Sequence, residues 1–211
     1  MAHLVWDWNG TLLDDLSLVV AATNASLATC GGLPVTVEEH RRDFRRPIVD
    51  YYSVVLGRPI DAAEFARLDK AFHDAYSAGL MACALSADAH TALRSWTGTQ
   101  SLLSMWFHRD LVPTVHRYGL ASYFGRVDGL RDEVGGGSKA PHLVAHLDAQ
   151  GRTGAECVLI GDSVDDAEAT RSVGARCVLY SGGFTEAARL RDTGAPVVDS
   201  LSAAITLAAT L

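Results

Sequence analysis

Acidic and hydroxyl side chains follow three apolar runs of this 211-residue sequence. Asp7 follows the run His3–Trp6, Ser104 follows residues 101–103, and Asp162 follows residues 157–160 and one glycine. Continuous apolar runs of this length indicate parallel strands that are covered on both faces. Because the carboxyl ends of such strands share one edge of a sheet, we expect these three side chains to lie close together.

Two more charged residues belong to the same predicted edge. Asp166 lies four residues after Asp162, on one face of the first turn of a predicted helix, and Lys139 precedes another predicted helix. Carboxylates on adjacent strand ends repel each other unless a cation lies between them, and their hard oxygen atoms suit Mg²⁺. With a lysine and a hydroxyl to orient a phosphate, the pattern predicts Mg²⁺-assisted phosphoryl transfer to a carboxylate nucleophile.

The elements that would position these residues alternate between strands and helices. Further apolar runs lie at Arg176–Tyr180 and, more weakly, at residues 196–198, and glycines mark many of the joins. Stretches with helical spacing separate the runs, at residues 87–97, 110–118, 140–150, 164–173, 186–193 and 201–210. This alternation predicts an α/β fold with a Rossmann-like parallel sheet.

One region interrupts the alternation. From about residue 15 to residue 86 no strand is apparent, and apolar residues recur at helical spacing. We therefore predict an all-helical cap domain at residues 15–86, inserted into a core domain formed by residues 1–14 and 87–211.

Composition limits the classes of function. The net charge of −7 and the sequence pI of about 5.5 argue against a nucleic-acid surface. Apolar runs shorter than the ~20 residues of a spanning helix argue against a membrane protein, and the N-terminus lacks the features of a signal peptide. The four cysteines show no CxxC spacing, so we expect reduced thiols in a cytoplasmic protein.

Four motifs in order resemble the haloacid dehalogenase superfamily, and within it the branch similar to phosphoglycolate phosphatases. They are the run DWNGT from Asp7 to Thr11, Ser104, Lys139, and the run GDSVDD from Gly161 to Asp166. The helical block falls where that branch carries its helical cap. The glycine run at residues 135–137 before Lys139 does not form a P-loop, because no Ser or Thr follows the lysine.

The resemblance implies a metal set. Asp7 would attack phosphorus to form an aspartyl-phosphate, and its other oxygen would bind Mg²⁺. The backbone carbonyl of Asn9 and the carboxylate of Asp162 would be further ligands, and Asp166 would support the waters of the metal.

The resemblance also implies a phosphate-binding set. Ser104 and Lys139 would hold the transferring phosphoryl group, and Gly10 and Thr11 would shape the turn after the first strand. Asp14 or Asp15 would lie near the hinge into the cap.

Asn9 departs from the family pattern, because phosphatases of this family usually carry an aspartate there. That acid protonates the leaving group and then activates water, which an amide cannot do, and such help is typically worth roughly 10²–10⁴-fold. The protein could be slow, could use another group such as a cap histidine (His40 or His73), or could bind a phosphorylated ligand without turnover. Phosphonate and haloacid hydrolases also lack the acid, but the former use an early-cap lysine, and the cap lysine here is Lys70.

A second departure follows Ser104, where the branch usually has Asn-Lys and this chain has Met105 and Trp106, which predicts an apolar wall beside the substrate. Arg45 and Arg46 are either cap residues that bind a substrate anion or part of a solvated helix face. The resulting expectation is a Mg²⁺-dependent phosphatase that acts on a small phosphorylated metabolite.

Overall fold

The computed structural model describes residues 1–131 and 136–211. Its strands are β1 (His3–Trp6), β2 (Leu13–Asp14), β3 (Ala84–Leu85), β4 (Gln100–Phe107), β5 (Val127–Leu130), β6 (Cys157–Gly161), β7 (Arg176–Tyr180) and β8 (Val197–Val198). Its helices are α1 (Leu16–Ala28), α2 (Val37–Asp43), α3 (Ile48–Leu56), α4 (Ala62–Gly79), α5 (Ala89–Ser95), α6 (His108–Arg117), α7 (Ala140–Asp148), α8 (Val164–Val173), α9 (Ala187–Asp192) and α10 (Leu201–Ala208). Gly135, the first residue of the glycine run noted above, lies outside the described residues.

Six strands form one parallel sheet in the order β5-β4-β1-β6-β7-β8. Successive residues of a strand point to opposite faces, so the buried Leu4 and Trp6 of β1 join one apolar cluster and Val5 joins another. Apolar side chains therefore cover both faces, which confirms the predicted Rossmann-like core. Because β4, β1 and β6 are neighbours, their carboxyl ends meet at one edge.

The helical cap follows β1 and consists of α1 to α4. Helices α1 and α4 pack against each other, and a small apolar cluster around Leu27, Tyr52 and Leu68 lies inside the cap. The chain enters and leaves the cap through a two-stranded antiparallel ribbon, in which Leu13 pairs with Leu85 and Asp14 with Ala84. Our expectation that residues 15–86 contain no strand is wrong at β3, because a two-residue strand is too short to show a hydrophobic pattern.

Two other elements differ from the sequence-based expectation. Strand β5 was not predicted, because its sequence VDGL contains an acid and a glycine, residues that are depleted in strands. Strand β4 continues past residue 103 as far as Phe107, so Ser104 lies within the strand. Its pairing with β1 nevertheless stops at Leu102, opposite Trp6, so Ser104 still lies beyond the paired part of β1.

None of the helices within the two described ranges combines the length and the apolar character needed to cross a membrane.

Candidate active site

Asp7 lies at the first position after β1, and its backbone is fixed to the neighbouring strand. Its N–H donates to the carbonyl of Ile160 in β6 at 2.9 Å. One carboxylate oxygen, Oδ1, accepts from the Trp8 N–H at 2.8 Å, and the other, Oδ2, lies 2.8 Å from Lys139 Nζ. Burial raises the pKa of Asp7 to about 6, with Lys139 opposing the shift and Asp166 adding to it.

Asp162 faces Asp7 from the end of β6 and is itself tightly held. Its Oδ1 accepts from the Thr11 hydroxyl at 2.8 Å, and its Oδ2 accepts from the Phe184 N–H at 2.7 Å. Burial raises the pKa of Asp162 well above its usual range, and the charges of Asp7 and Asp166 raise it further. A cation beside Asp162 would relieve this repulsion.

Lys139 and Asp166 form a buried ion pair behind the two strand-end carboxylates. Lys139 Nζ contacts Asp166 as well as Asp7, and both residues are almost fully buried. Ser163 caps α8 and donates from its N–H and its hydroxyl to Asp166 Oδ2. Burial alone would raise the pKa of Asp166, but the Lys139 ammonium and the Ser163 hydrogen bonds hold it below its usual value. Burial would lower the pKa of Lys139, and the same two carboxylates raise it instead.

The carboxylate cluster has the donor chemistry of a magnesium site. Oxygen atoms of Asp7, Asp162 and Asp166 all lie within 4.8 Å of one another. Hard oxygen donors at this spacing fit Mg²⁺. Asp166 Oδ2 already accepts three hydrogen bonds and its Oδ1 contacts Lys139, whereas each oxygen of Asp7 and Asp162 has one partner and keeps a lone pair. Asp7 and Asp162 are therefore the residues that would hold the ion, and Asp166 fixes the groups around them.

Two glycines let the backbone approach Asp162 closely. Gly10 has a φ of +72°, and a Cβ added there would come within 2.5 Å of Asp162 Oδ2. A Cβ at Gly183 would lie 2.2 Å from the same oxygen and 2.4 Å from the Gly10 carbonyl. The predicted residue Thr11 is fully buried behind Asp162, where it orients that carboxylate.

The side chain of Asn9 is saturated with hydrogen bonds. Its Nδ2 donates to Asp15 Oδ2 and to the Tyr76 hydroxyl, both at 2.8 Å, and its Oδ1 accepts from the Ser104 hydroxyl at 3.2 Å. Asp15 is buried, which raises its pKa to about 6, and its Oδ1 accepts from the Gly10 N–H. Asn9 therefore connects the turn after β1 to the cap helix α4, and neither of its N–H groups is free.

The structure separates the two candidate arginines. Arg46 lines a cavity of about 20 Å³ together with Asp7, Lys139 and Asp162, and its Nε lies 3.8 Å from an Asp165 oxygen. Arg45 does not line that cavity, and its Nε donates to the carbonyl of Asp43 instead. Which of the two arginines reaches the small cavity could not be predicted from the sequence, because the answer depends on how the cap packs on the core.

Of the other residues singled out from the sequence, one lines the small cavity and two do not. Met105 lines the small cavity, as the predicted apolar wall would, whereas Ser104 does not line it, and its hydroxyl oxygen accepts from the Trp106 N–H at 3.0 Å. Lys70 is exposed on the outside of the cap, 2.6 Å from Asp74, and does not line this cavity. This position does not support Schiff-base chemistry at Asp7.

Three aromatic residues of the site carried no signal in the sequence. Phe44 and Phe184 line the small cavity, and Tyr76 bonds to Asn9 from the cap. Each lies in a segment whose position depends on contacts between the cap and the core, which local sequence patterns do not encode. The GG pair before Phe184 was the one available hint of a close backbone approach.

A parallel sheet with a helical insertion after its first strand, and a lysine between buried aspartates at the strand ends, defines a class of α/β hydrolases. The family model described as haloacid dehalogenase-like hydrolase matches residues 1–174. The chain therefore belongs to the haloacid dehalogenase-like hydrolases, as its motifs suggested.

Solved structures share this fold across their full length. A predicted phosphatase from Clostridium acetobutylicum has a TM-score of 0.88 at 15% identity, covering 100% of this chain and 99% of its own. A predicted phosphoglycolate phosphatase from Haemophilus somnus has a TM-score of 0.75 at 16% identity, covering 99% and 98%. A haloacid dehalogenase-like protein of unknown function from Agrobacterium tumefaciens has a TM-score of 0.77 at 23% identity, covering 100% and 98%. At these identities the likeness shows the fold alone, and no curated protein matches the chain in sequence.

Proposed function

We propose that this hydrolase is a Mg²⁺-dependent phosphatase that acts on a small phosphorylated metabolite through an aspartyl-phosphate. The observation that carries the proposal is Lys139 Nζ, which lies 2.8 Å from Asp7 Oδ2 and also contacts Asp166. A buried lysine held by two carboxylates supplies fixed positive charge where a phosphoryl group would arrive. Its attraction to Asp166 also holds it in place.

Asp7 is the nucleophile in this scheme. Its carboxylate oxygen attacks phosphorus, the bond from phosphorus to the ester oxygen breaks, and the electron pair leaves with that oxygen. Lys139 and Arg46 hold the oxygens of the transferring group, and Trp8 N–H keeps the carboxylate oriented. Water then cleaves the aspartyl-phosphate, which returns the Asp7 carboxylate and releases phosphate. When bound between Asp7 and Asp162, Mg²⁺ would neutralise charge on the transferring group.

A direct test uses acetyl phosphate, a small substrate whose leaving group needs no proton. We expect phosphate release that requires Mg²⁺ and falls at least 10³-fold in Asp7→Asn. Asp74→Asn, at an exposed cap position, serves as the matched control and should retain the wild-type rate. Equal rates for wild type and Asp7→Asn would contradict the assignment of the nucleophile.

A second candidate is a binding protein with little turnover. The saturated Asn9 side chain favours it, because no acid or base stands at that position. Absence of phosphate release at high enzyme concentration, together with Mg²⁺-dependent binding of a phosphate ester, would support the binding role instead.

A further inference from the structure

A cavity of about 100 Å³ lies between the cap and the core, next to the site of Asp7. It shares Asn9, Phe44, Arg46, Met105 and Phe184 with the small cavity that contains Asp7 and Lys139. A leaving group attached to a phosphate at Asp7 would therefore extend into this larger space. This volume is smaller than the roughly 150 Å³ of an apolar cavity that holds benzene in another protein, so the space admits one six-membered ring at most.

The wall of this cavity is dominated by aromatic rings. The rings come from four of the five regions around it, namely α2 with the segment after it, α3, α4 and the core, whereas α1 contributes Val19 and Thr23. They belong to His40, Phe44, Tyr51, Tyr52, Phe72, His73, Tyr76, Trp106 and Phe184. Rings of this kind favour edge-to-face or offset contact with another aromatic ring, which adds to the gain from burying apolar surface.

The wall carries one guanidinium and one carboxylate, and its other polar groups include an amide, hydroxyls and imidazoles. Arg46 faces the phosphate side, and Asp69 lies 3.4 Å from His73 Nε2. His40 has Nδ1 2.7 Å from the Tyr51 hydroxyl, while its buried Nε2 has no hydrogen-bond partner among the described residues. Burial lowers the pKa of His40 to about 4, so the ring is neutral near pH 7. A carboxylate placed next to Asp69 would be repelled by it, whereas an uncharged polar substituent could bond to His40 Nε2.

The chemistry of Asn9 independently restricts the leaving group. Both of its N–H groups are bound to Asp15 and Tyr76, and an amide has no proton to give. An aliphatic alcohol is about as weak an acid as water, with a pKa of roughly 16, and leaves poorly as its anion. A phenol, with a pKa of about 10 as in tyrosine, leaves without a proton donor far more readily.

We propose that the substrate is a phosphate monoester of a phenol, whose ring occupies the aromatic cavity beside Asn9. This inference rests on the proposed phosphatase function and names its substrate class. In the first step the Asp7 oxygen bonds to phosphorus, the phosphorus–phenolate bond breaks, and the phenolate leaves with the electron pair and takes a proton from water. In the second step water hydrolyses the aspartyl-phosphate to inorganic phosphate.

Substrate comparison provides the first test. Phenyl phosphate and cyclohexyl phosphate have rings of similar size but leaving groups of very different acidity. We expect kcat/KM for phenyl phosphate to exceed that for cyclohexyl phosphate by at least 10²-fold, and Asn9→Asp to narrow this ratio about tenfold or more. A wild-type ratio below about tenfold would overturn the proposal, because it would show that another group protonates the leaving oxygen.

Binding of phosphonates tests the cavity without turnover. In the presence of Mg²⁺, phenylphosphonate should bind to the wild type at least tenfold more tightly than methylphosphonate. Val19→Phe, which places a ring into the cavity from α1, should remove most of this preference. Val54→Phe, at an exposed position of α3 outside the cavity wall, should leave the preference unchanged.

The outcomes separate this inference from the function on which it rests. If acetyl phosphate is not hydrolysed, the proposed phosphatase function fails. If acetyl phosphate is hydrolysed but phenylphosphonate and methylphosphonate bind equally to the wild type, only the aryl assignment fails. Because this binding comparison uses the wild type, it decides the matter even where Val19→Phe does not fold.

Discussion

Arg45 and Arg46 are adjacent in sequence but face different surroundings. Both arginines line an outer groove beside Glu168 and Arg189, but Arg46 also lines both cavities of the site and Arg45 lines neither. Charge-assisted hydrogen bonds contribute roughly 1.5–3 kcal/mol, which corresponds to about 10-fold or more in affinity. We therefore expect Arg46→Ala to raise KM for acetyl phosphate about tenfold or more and Arg45→Ala to change it less than twofold. Steady-state kinetics of the two variants tests this expectation. A larger increase in KM for Arg45→Ala than for Arg46→Ala would show that the cap packs on the core differently from the arrangement described above.

At the scale of elements, the loop after β7 supports the carboxylate at the end of β6. Gly183 leaves no room for a Cβ beside Asp162 Oδ2, and Phe184 N–H holds that oxygen. Gly183→Ala must displace Asp162, so we expect the Mg²⁺ concentration for half-maximal activity to rise about 10–100-fold. Gly137→Ala is a matched control, because a Cβ there has no atom within 4 Å. An unchanged Mg²⁺ requirement in Gly183→Ala would argue against Asp162 as a ligand.

Strand β4 also takes part in a buried polar network between the sheet and α7. Ser101 Oγ lies 2.7 Å from His3 Nε2 and 2.8 Å from His146 Nε2, and His146 Nδ1 lies 2.7 Å from Asp128. An acid, an imidazole and a hydroxyl in line resemble a hydrolase triad, but Ser101 is fully buried and no substrate could reach it. Its role is therefore structural.

Removing the Ser101 hydroxyl should destabilise the fold. Two buried imidazole nitrogens would lose their partner, each at a cost of about 1–3 kcal/mol, so Ser101→Ala should lower the free energy of unfolding by roughly 2 kcal/mol or more. Ser172→Ala removes one hydrogen bond to the Ala169 carbonyl and should cost less than half as much. Urea denaturation of both variants provides the comparison, and equal losses would contradict the network.

Strands and helices of the core could be predicted from the sequence because each has its own local pattern. Asp7, Asp162, Asp166 and Lys139 were found for the same reason, since each adjoins a strong strand or helix signal. Tyr76 and Phe184 could not be found, and Arg46 could not be told from Arg45, because only the packing of the cap on the core brings these residues to Asn9 and Asp7. Strand β5 and the β2–β3 ribbon were missed because their sequences are too polar or too short.

At the scale of the whole molecule, the buried cap residue His40 makes the free energy of unfolding depend on pH. Burial lowers the pKa of His40 to about 4, against 6.5 for an unfolded histidine. Above pH 6.5 both states are neutral, but between pH 6.5 and about 4 only the unfolded chain takes up the proton. The contribution of His40 to stability is therefore present above pH 6.5 and is lost on acidification, by up to about 3 kcal/mol.

Replacing His40 shows how much this residue contributes to the pH dependence of the unfolding free energy. We expect the unfolding free energy of His40→Gln to fall less steeply than that of the wild type between pH 6.5 and 4.5. His90→Gln, at an exposed position of α5, should keep the wild-type slope. Because buried acids such as Asp15 are present in all three proteins, their contributions cancel in the comparison. Parallel slopes for wild type and His40→Gln would show that His40 is not buried in a neutral state.

We expect the proposed site, formed by the cap and the core together, to accept a phosphoryl group faster than it releases it. Asn9 cannot activate water, so hydrolysis of the aspartyl-phosphate should be the slow step with good leaving groups. The phosphorylated enzyme should therefore accumulate. Rapid acid quenching of the Mg²⁺-loaded enzyme with acetyl phosphate, followed by peptide mass spectrometry, should find the phosphoryl group on Asp7 and find none in Asp7→Asn. Phosphate release without a phosphorylated Asp7, or with the label on another residue, would contradict the mechanism.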